Sequence, residues 1–217
     1  MKLRKPLRLI PGAESNTGHQ PPAESFGQLV RSDRRSNPGL NIDAIKARLL
    51  LLEYRVEQAV HRRRVARPTS FNRVVWSACR FSGSVFQWLL FSCQISGQVD
   101  AGPGLRLPHP QNIIIGMGTR LGRDCSVYHN VTFARSTLRV GVQMADVGDR
   151  VVFGAGVTVM GAVRIGDDAI LAAGAVVTKD VPAATIVISA PVQLRPRTDG
   201  GDWLVYPNPH PLAARPH

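Results

Sequence analysis

A six-residue hydrophobic period dominates the second half of this 217-residue chain. An α-helix repeats every 3.6 residues and a strand every two, so a period of six fits neither element alone. Glycine often stands at the second position of each hexad, and a small or β-branched residue stands at the fifth. The first positions are Ile115, Leu121, Val127, Phe133, Val147, Phe153, Val159, Ile165, Leu171 and Val177; the fifth positions are Thr119, Cys125, Val131, Val151, Val157, Val163, Ala169, Ala175 and Val181.

These hexads predict a parallel β-helix. Each hexad forms one flat wall, and three hexads complete a triangular coil of about 18 residues. The first position fills the interior, and the small fifth position packs beside it because the bore is narrow. Stacked coils then pair as parallel strands, so that each coil buries its apolar side against its neighbours. The alternative is a chance period in a glycine- and valine-rich β protein, and ten positions in register argue against it.

Two breaks in the period point to one candidate site. Leu107 and Ile115 are eight residues apart, because the Pro-His-Pro unit around His109 is inserted there, and Phe133 and Val147 are fourteen apart. Repeat proteins carry insertions on one face, which is often the binding face. Proline stiffens the backbone and favours extended geometry before it, so the ring of His109 must project sideways. His109 is therefore either a structural accident or a catalytic base.

Composition excludes several classes of function. The net charge of +12 and the sequence pI near 10.9 come without any nucleic-acid-binding motif, so we expect a basic surface and no nucleic-acid partner. Three scattered cysteines do not form a disulfide framework, which favours a reducing cytoplasm. A zinc site of three histidines is also not expected, because the predicted β-helix contains only His109 and His129.

The first half of the chain divides by composition. Residues 1–40 are rich in proline, serine, glycine and arginine, which predicts a disordered basic leader. Residues 41–96 predict an α-helical region. Its first helix has Asn41 or Asp43 available as a cap and an apolar stripe at helical spacing, made of Ile45, Leu49, Leu52, Val56 and Val60.

The second helical segment is less polar. Residues 74–93 contain one charge, Arg80. Serine, glycine and glutamine interrupt this segment, so we favour a buried helix or helix pair that covers the end of the β-helix over a peripheral membrane contact. Residues 195–217 form a proline-rich C-terminal tail that either folds back on the coils or frays.

Particular motifs resemble a known family. The stretches GPGLRLPHPQNIIIG, SVYHNVTF and VGDRVVFGAGVTVMGAVRIGDDAILAAGAVVTKDVP look like the serine acetyltransferase branch of the hexapeptide-repeat acyltransferases, from about Tyr54 to Leu194. The resemblance implies a left-handed β-helix over residues 97–194. It also implies a homotrimer with active sites between adjacent subunits, acetyl-CoA as the donor, and transfer of the acetyl group to a hydroxyl.

The same resemblance assigns catalytic roles. His109 matches the family's catalytic histidine, which takes the proton of the acceptor hydroxyl as general base. The aspartate that orients this ring stands fifteen residues earlier in the family, and here that position holds Gln94, whose amide oxygen can still accept from the ring. In the loop after Phe133, Arg135 and Arg139 are candidates to meet a carboxylate of the acceptor, against the alternative of solvated loop charges.

The resemblance also indicates where the donor binds. The turns at Ala155 and Ala173 match the backbone that lines the arm of coenzyme A. Lys179 is a candidate contact for its phosphates, with an exposed turn lysine as the equal alternative. No metal ion is implied.

Departures from the family pattern leave the acceptor open. Pro108 replaces an aspartate, and Ala134 and Arg135 replace a glycine pair at the start of the loop. Acetyl transfer to serine is therefore one hypothesis, and transfer to the hydroxyl of a sugar or polysaccharide is its rival. A catalytically silent trimeric scaffold is the third reading, because it would keep the apolar interior while losing polar site residues.

Overall fold

A computed structural model describes residues 24–135 and 144–189 of the chain. Three helices precede a series of very short strands. The helices are α1 (Phe26–Ser36), α2 (Ile42–Ala66) and α3 (Ser70–Phe91). The strands are β1 (Gln94–Ile95), β2 (Asp100–Ala101), β3 (Ile114–Ile115), β4 (Arg120–Leu121), β5 (Ser126–Val127), β6 (Thr132–Ala134), β7 (Asp146–Val147), β8 (Val152–Phe153), β9 (Thr158–Met160), β10 (Arg164–Ile165), β11 (Ile170–Leu171), β12 (Val176–Val177) and β13 (Ile186–Val187).

The strands build a left-handed parallel β-helix, which confirms the predicted fold class. Every pairing between them is parallel, and the chain visits three sheets in turn. Sheet A contains β1, β3, β6, β9 and β12; sheet B contains β2, β4, β7 and β10; sheet C contains β5, β8, β11 and β13. Each coil therefore contributes one wall to each side of a triangular prism.

Hydrocarbon fills the bore of this prism as the hexads predict. All ten first positions of the hexads are buried, and Phe133 and Phe153 stack in neighbouring coils with ring centroids 5.0 Å apart. All nine fifth positions are buried beside them. Burial of this apolar surface against adjacent coils supplies the main driving force for stacking.

Left-handed backbone forms the corner that leads from sheet C to sheet A, called here the C–A corner. Successive coils place Asn112, Asn130, Gly156 and Gly174 there, with φ of 51°, 58°, 72° and 72°. Asparagine and glycine tolerate this conformation better than other residues. The Asn112 amide also donates to Oδ1 of Asn130 at 3.0 Å, so the first two of these turns are joined through their side chains.

Helix α1 lies inside the segment predicted to be a disordered leader. Ser25 and Gln28 form a capping box at its start, with the Ser25 backbone N–H donating to Oε1 of Gln28 at 2.8 Å. The prediction of disorder for residues 1–40 is therefore wrong for residues 24–40, whereas residues 1–23 lie outside the described part. The helix was not predicted because the segment is rich in arginine and buries only two side chains, Leu29 and Asp33, so it shows no apolar period.

Helix α2 closes the first coil of the β-helix. Asn41 caps it, as one of the two predicted alternatives, by accepting from the N–H of Ala44. Its buried face is not the predicted stripe: Ala47, Leu50, Leu51 and Tyr54 point inward, while four of the five stripe residues are exposed. The Tyr54 hydroxyl donates to the carbonyl of Val99 at 2.9 Å, so this face, and not the more aliphatic one, meets the coil.

Helix α3 packs against α2, with Thr69 as its N-cap. The favoured prediction, a buried helix covering the β-helix, is wrong for most of its apolar side chains, because the buried positions are only Asn72, Gly83, Gln87 and Phe91. Within residues 24–135 and 144–189, no helix has the length and apolarity needed to cross a bilayer. The predicted tail at residues 195–217 lies outside the described residues.

Candidate active site

The segment around His109 bulges out where sheet C passes to sheet A. Arg106 still pairs with Ser126 of the next coil, and β3 resumes the wall at Ile114. Between them, the buried Leu107 donates its N–H to Oδ1 of Asn37 at 2.9 Å. The imidazole of His109 lies outside the bore and its side chain is 54% exposed. The stiff proline-flanked backbone therefore presents the ring at the surface, outside the bore, as the sequence predicts.

Asp43 holds the ring of His109. Its carboxylate oxygen Oδ2 lies 2.8 Å from Nδ1 of the imidazole. Asp43 is the second residue of α2, where a negative charge is stabilised by the helix dipole. This contact keeps a proton on Nδ1 and leaves the lone pair on Nε2, which is the tautomer that a general base requires.

Gln94 does not make the contact that the sequence suggested. Its backbone lies in β1 beside Ile114, its side chain is exposed, and within the described residues the ring's partner is Asp43. Sequence reasoning missed Asp43 because the residue is 66 positions from His109 and was considered only as a helix cap. Because Asn41 caps α2, the carboxylate of Asp43 in the first helical turn is not needed as a cap. This was the sequence signal that Asp43 could contact another residue.

Two further aromatic side chains face His109 across the C–A corner. The ring centroid of His129 lies 5.8 Å from that of His109, and the ring of Tyr128 lies 6.3 Å away. Nδ1 of His129 is buried and finds no hydrogen-bond partner in the described part of the chain.

The predicted donor-binding turns continue the same corner. The carbonyl of His129 accepts from the N–H of Gly156 at 3.0 Å, and the carbonyl of Ala155 accepts from Gly174 at 2.8 Å. Ala155 and Ala173 therefore lie one and two coils beyond His129, with Ala155 half-buried and Ala173 exposed. The corner forms a continuous track from the imidazole along the later coils.

Lys179 lies elsewhere. It follows β12 on the turn from sheet A to sheet B, which we call the A–B corner, and it is exposed. The loop after Phe133 leaves the coil at this same A–B corner. Arg135 is exposed at the start of that loop, whereas Arg139 lies outside the described residues. One subunit therefore does not bring Lys179 to the track of Ala155 and Ala173.

A buried polar clamp fixes the coil that carries His109. Arg55 donates to both oxygens of Asp33, at 2.8 and 3.1 Å, and to the carbonyls of Ala101 and Gly102, each at 2.7 Å. The free lone pairs of Asp33 accept from backbone N–H groups of the same coil. Burial acts most strongly, to lower the pKa of Arg55, but the hydrogen bond to Asp33 and the nearby charges together raise the pKa above its usual value, so the guanidinium stays charged. The sequence analysis missed this clamp because it assigned Asp33 to a disordered leader.

The buried cysteines of the β-helix do not compete with His109 as reactive groups. Burial raises the pKa of the Cys125 thiol to about 11, and it also raises the pKa of Cys93. Both thiols therefore stay protonated near neutral pH and are poor nucleophiles. Among the described residues, no group of three or more histidine, cysteine or carboxylate side chains is arranged to hold a metal ion.

Comparison with known proteins places this geometry in a family. The sequence profile described as "Bacterial transferase hexapeptide (six repeats)" matches residues 144–179. A serine acetyltransferase of Helicobacter pylori (strain J99) is 34% identical over 143 residues, which cover 64% of this chain and 75% of that protein. The serine acetyltransferase of Mycobacterium tuberculosis is 37% identical over 102 residues, and the match covers 44% of each chain.

A solved structure agrees at the level of the fold. The soybean serine acetyltransferase apoenzyme superimposes with a TM-score of 0.65 at 25% identity, covering 79% of this chain and 69% of that one. The similarity therefore extends beyond the hexad repeats and includes the preceding helices. It confirms the resemblance inferred from the motifs around His109.

Proposed function

Because this chain belongs to the serine acetyltransferase family of hexapeptide-repeat transferases, we propose that it transfers an acetyl group from acetyl-CoA to an acceptor hydroxyl, with His109 as general base. The observation that supports this most directly is the pair of His109 and Asp43, 2.8 Å apart and outside the filled bore. Serine is the first candidate acceptor, because the relatives are named serine acetyltransferases.

The pair can carry one complete acyl transfer. Asp43 accepts a hydrogen bond from the Nδ1–H of His109, which leaves Nε2 free to take the proton of the acceptor hydroxyl. The oxygen attacks the thioester carbonyl, a C–O bond forms, and the C–S bond breaks. The thiolate of coenzyme A leaves and recovers the proton from Nε2. The charge on Asp43 stabilises the imidazolium that exists between the two proton transfers.

We also propose a homotrimer in which the donor binds between subunits. A three-fold axis facing sheet A would set the C–A corner of one subunit beside the A–B corner of the next. This arrangement would bring the track at Ala155 and Ala173 close to the partner subunit's Lys179, which one chain alone keeps apart. Backbone groups of the turns would hold the pantetheine arm, and the lysine would meet the phosphates.

The reaction belongs in the cytoplasm in this proposal, because the three cysteines are free thiols in the described structure. A sugar hydroxyl is the second candidate acceptor. The observation that favours it is the start of the loop at Ala134 and Arg135, where the family has a glycine pair, because these two residues change the wall that faces the acceptor.

The experiment is a thiol-release assay with acetyl-CoA, L-serine and a panel of monosaccharides and oligosaccharides. We expect the wild-type chain to release coenzyme A with one of these acceptors, and His109→Ala to lower kcat by about a hundredfold or more. Full activity of His109→Ala contradicts the assignment of the base. Release by neither protein with any acceptor contradicts the proposed activity and supports the scaffold reading.

A further inference from the structure

Helix α3 presents an uncovered apolar stripe along its whole length. The stripe residues recur every three or four positions on the side turned away from α2, and each is exposed. Their exposed fractions reach 74% at Phe81 and 70% at Trp88. The stripe consists of Phe71, Val74, Ala78, Phe81, Val85, Trp88 and Leu89. Contiguous apolar surface of this size on a folded domain marks an interaction site.

The acidic side chains of α2 that face α3 point inward. Glu53 accepts from the Gln87 amide between α2 and α3, and the Glu57 side chain is 2% exposed beside Arg80. Helix α3 itself contains no acidic residue. The stripe therefore has no negative charge beside it on α3, and the acids of the facing turns of α2 are used within the protein.

Three basic side chains at one end of the stripe point outward. Arg63 and Arg67 at the end of α2 and Arg73 at the start of α3 are exposed next to the Phe71 end of the stripe. Arg64 stacks on the ring of Trp76, with its guanidinium carbon 4.1 Å from the ring centroid. An apolar ridge with exposed arginines at one end complements a surface that combines hydrocarbon with negative charge.

We propose that α3 docks this protein on an anionic membrane surface, lying parallel to the bilayer with the stripe among the lipid tails and the arginines among the headgroups. Trp88 suits this position, because its ring is apolar and its N–H remains available at the boundary with water. The helix lies on the bilayer and does not cross it, in agreement with its interrupted apolarity.

The docked helix would also place the candidate active site near the membrane. Helix α3 ends at Phe91, whose carbonyl accepts from the N–H of Asn112 at 3.3 Å, three residues after His109. The C–A corner that carries the imidazole therefore begins where the membrane-bound helix ends. This consequence adds to the docking proposal, which rests on the stripe and its charges and not on the acceptor.

The test is co-sedimentation of the full chain with vesicles. One set contains phosphatidylglycerol mixed with phosphatidylcholine, and the other contains phosphatidylcholine alone. We expect binding to the anionic set that weakens as salt is raised, and little binding to the neutral set. Equal binding to both sets, or binding to neither, overturns the proposal.

Matched variants distinguish binding through the stripe from nonspecific binding by other exposed apolar residues. Phe81→Ser with Trp88→Ser should abolish sedimentation, whereas Ile186→Ser, at a 63% exposed position at the far end of the β-helix, should leave it unchanged. Arg63→Ser with Arg67→Ser should weaken binding by on the order of tenfold or more, since each arginine near an anionic surface contributes about fivefold. Arg120→Ser with Arg164→Ser, both exposed on sheet B, is the control for charge.

The same variants test whether another protein copy covers the stripe. Light scattering gives the mass of each variant in solution without lipid. We expect Phe81→Ser with Trp88→Ser to keep the wild-type mass while losing vesicle binding. A lower mass for this variant, with vesicle binding retained, would mean that the stripe is an interface between protein chains, and the membrane proposal would fail.

Discussion

The proposed catalytic pair of His109 and Asp43 joins two elements that are distant in the sequence. The histidine comes from an insertion between two walls of the β-helix, and the carboxylate comes from the first turn of a helix that caps the coil. The local structure of neither element brings the two side chains together. The clamp of Asp33 and Arg55, together with Asn37, brings them together, because these side chains bind the helices to the backbone beside the insertion.

Asp43→Asn should lower kcat by roughly tenfold or more, because an amide neither selects the same tautomer of His109 nor stabilises the imidazolium. The apparent KM for acetyl-CoA should change little, since the track of Ala155 and Ala173 is untouched. Steady-state assays of thiol release check both values. Gln94→Ala is the matched control, and we expect activity equal to the wild type; a larger loss for Gln94→Ala than for Asp43→Asn would contradict the pairing.

Glu53 should make folding stability depend on pH. Burial raises the pKa of this carboxyl to about 7, against a lowering by the Gln87 hydrogen bond, and the nearby Glu57 raises it further. The folded state then binds the proton more tightly than the unfolded state, so stability is highest below about pH 4.5 and falls as the pH rises through 7. Glu57 contributes in the same direction.

Glu53→Gln should therefore flatten the loss of stability between pH 5 and pH 8. We expect the wild type to lose about 1 kcal/mol more than the variant over this range, a value reduced for solvent screening because the carboxyl is only partly buried. Urea unfolding at both pH values measures the difference. Parallel curves for the two proteins would show that Glu53 ionises as freely in the folded state as in the unfolded one.

The helices cover the first coil of the β-helix, and they add polar contacts to the apolar packing that they share with the coils. A β-helix leaves the strand edges of its first coil unpaired, and such edges need a partner. Arg55 and Tyr54 supply donors to the carbonyls of this coil, and Asp33 accepts from its N–H groups. These polar contacts therefore satisfy the open edge that the apolar packing of α2 alone would leave unpaired.

Asp33→Ala should destabilise the fold by about 3 to 5 kcal/mol, because it leaves the guanidinium of Arg55 buried without its counter-charge. The exposed pair of Arg150 and Asp168, joined by two hydrogen bonds, is the matched control, and Asp168→Ala should cost far less than Asp33→Ala because both of its charges remain in solvent. Chemical denaturation of both variants checks the contrast. Equal losses would mean that the clamp is no more than a surface ion pair.

The three walls of the prism differ in the side chains that face away from the bore. Sheet B presents a ladder of alternating charge, with Asp100, Arg120, Asp146 and Arg164 in register. Sheet A presents Ile114, Thr132, Thr158 and Val176 at the equivalent positions. Sheet C presents Ser126, Val152, Ile170 and Ile186 at the equivalent positions. The charged wall suits solvent, and both of the walls with aliphatic side chains suit a subunit contact, so the proposed axis on sheet A is one of two that the exposed side chains allow.

Val176→Asp should break the proposed trimer, because it places a charge at an exposed apolar position of that wall. Light scattering of the wild type should give three times the chain mass of 23.6 kDa, and the variant should give a smaller value with reduced activity. Arg164→Asp, one wall away in the same part of the β-helix, should keep the trimer. A trimer retained by Val176→Asp would place the axis on another wall.

The β-helix could be predicted because its signal is local. The apolar first position of each hexad predicts which side chain points inward, and ten repetitions in register exclude most other folds. The insertion at His109 was visible for the same reason, as a break in a regular period. Asp43, the clamp and the exposed stripe of α3 were not visible, because they depend on which helix face meets the coil. Aliphatic spacing selected Ile45 and Leu49 for burial in α2, yet the polar groups of Tyr54 and Arg55 were needed to satisfy an open strand edge, and that requirement exists only once the coil has formed.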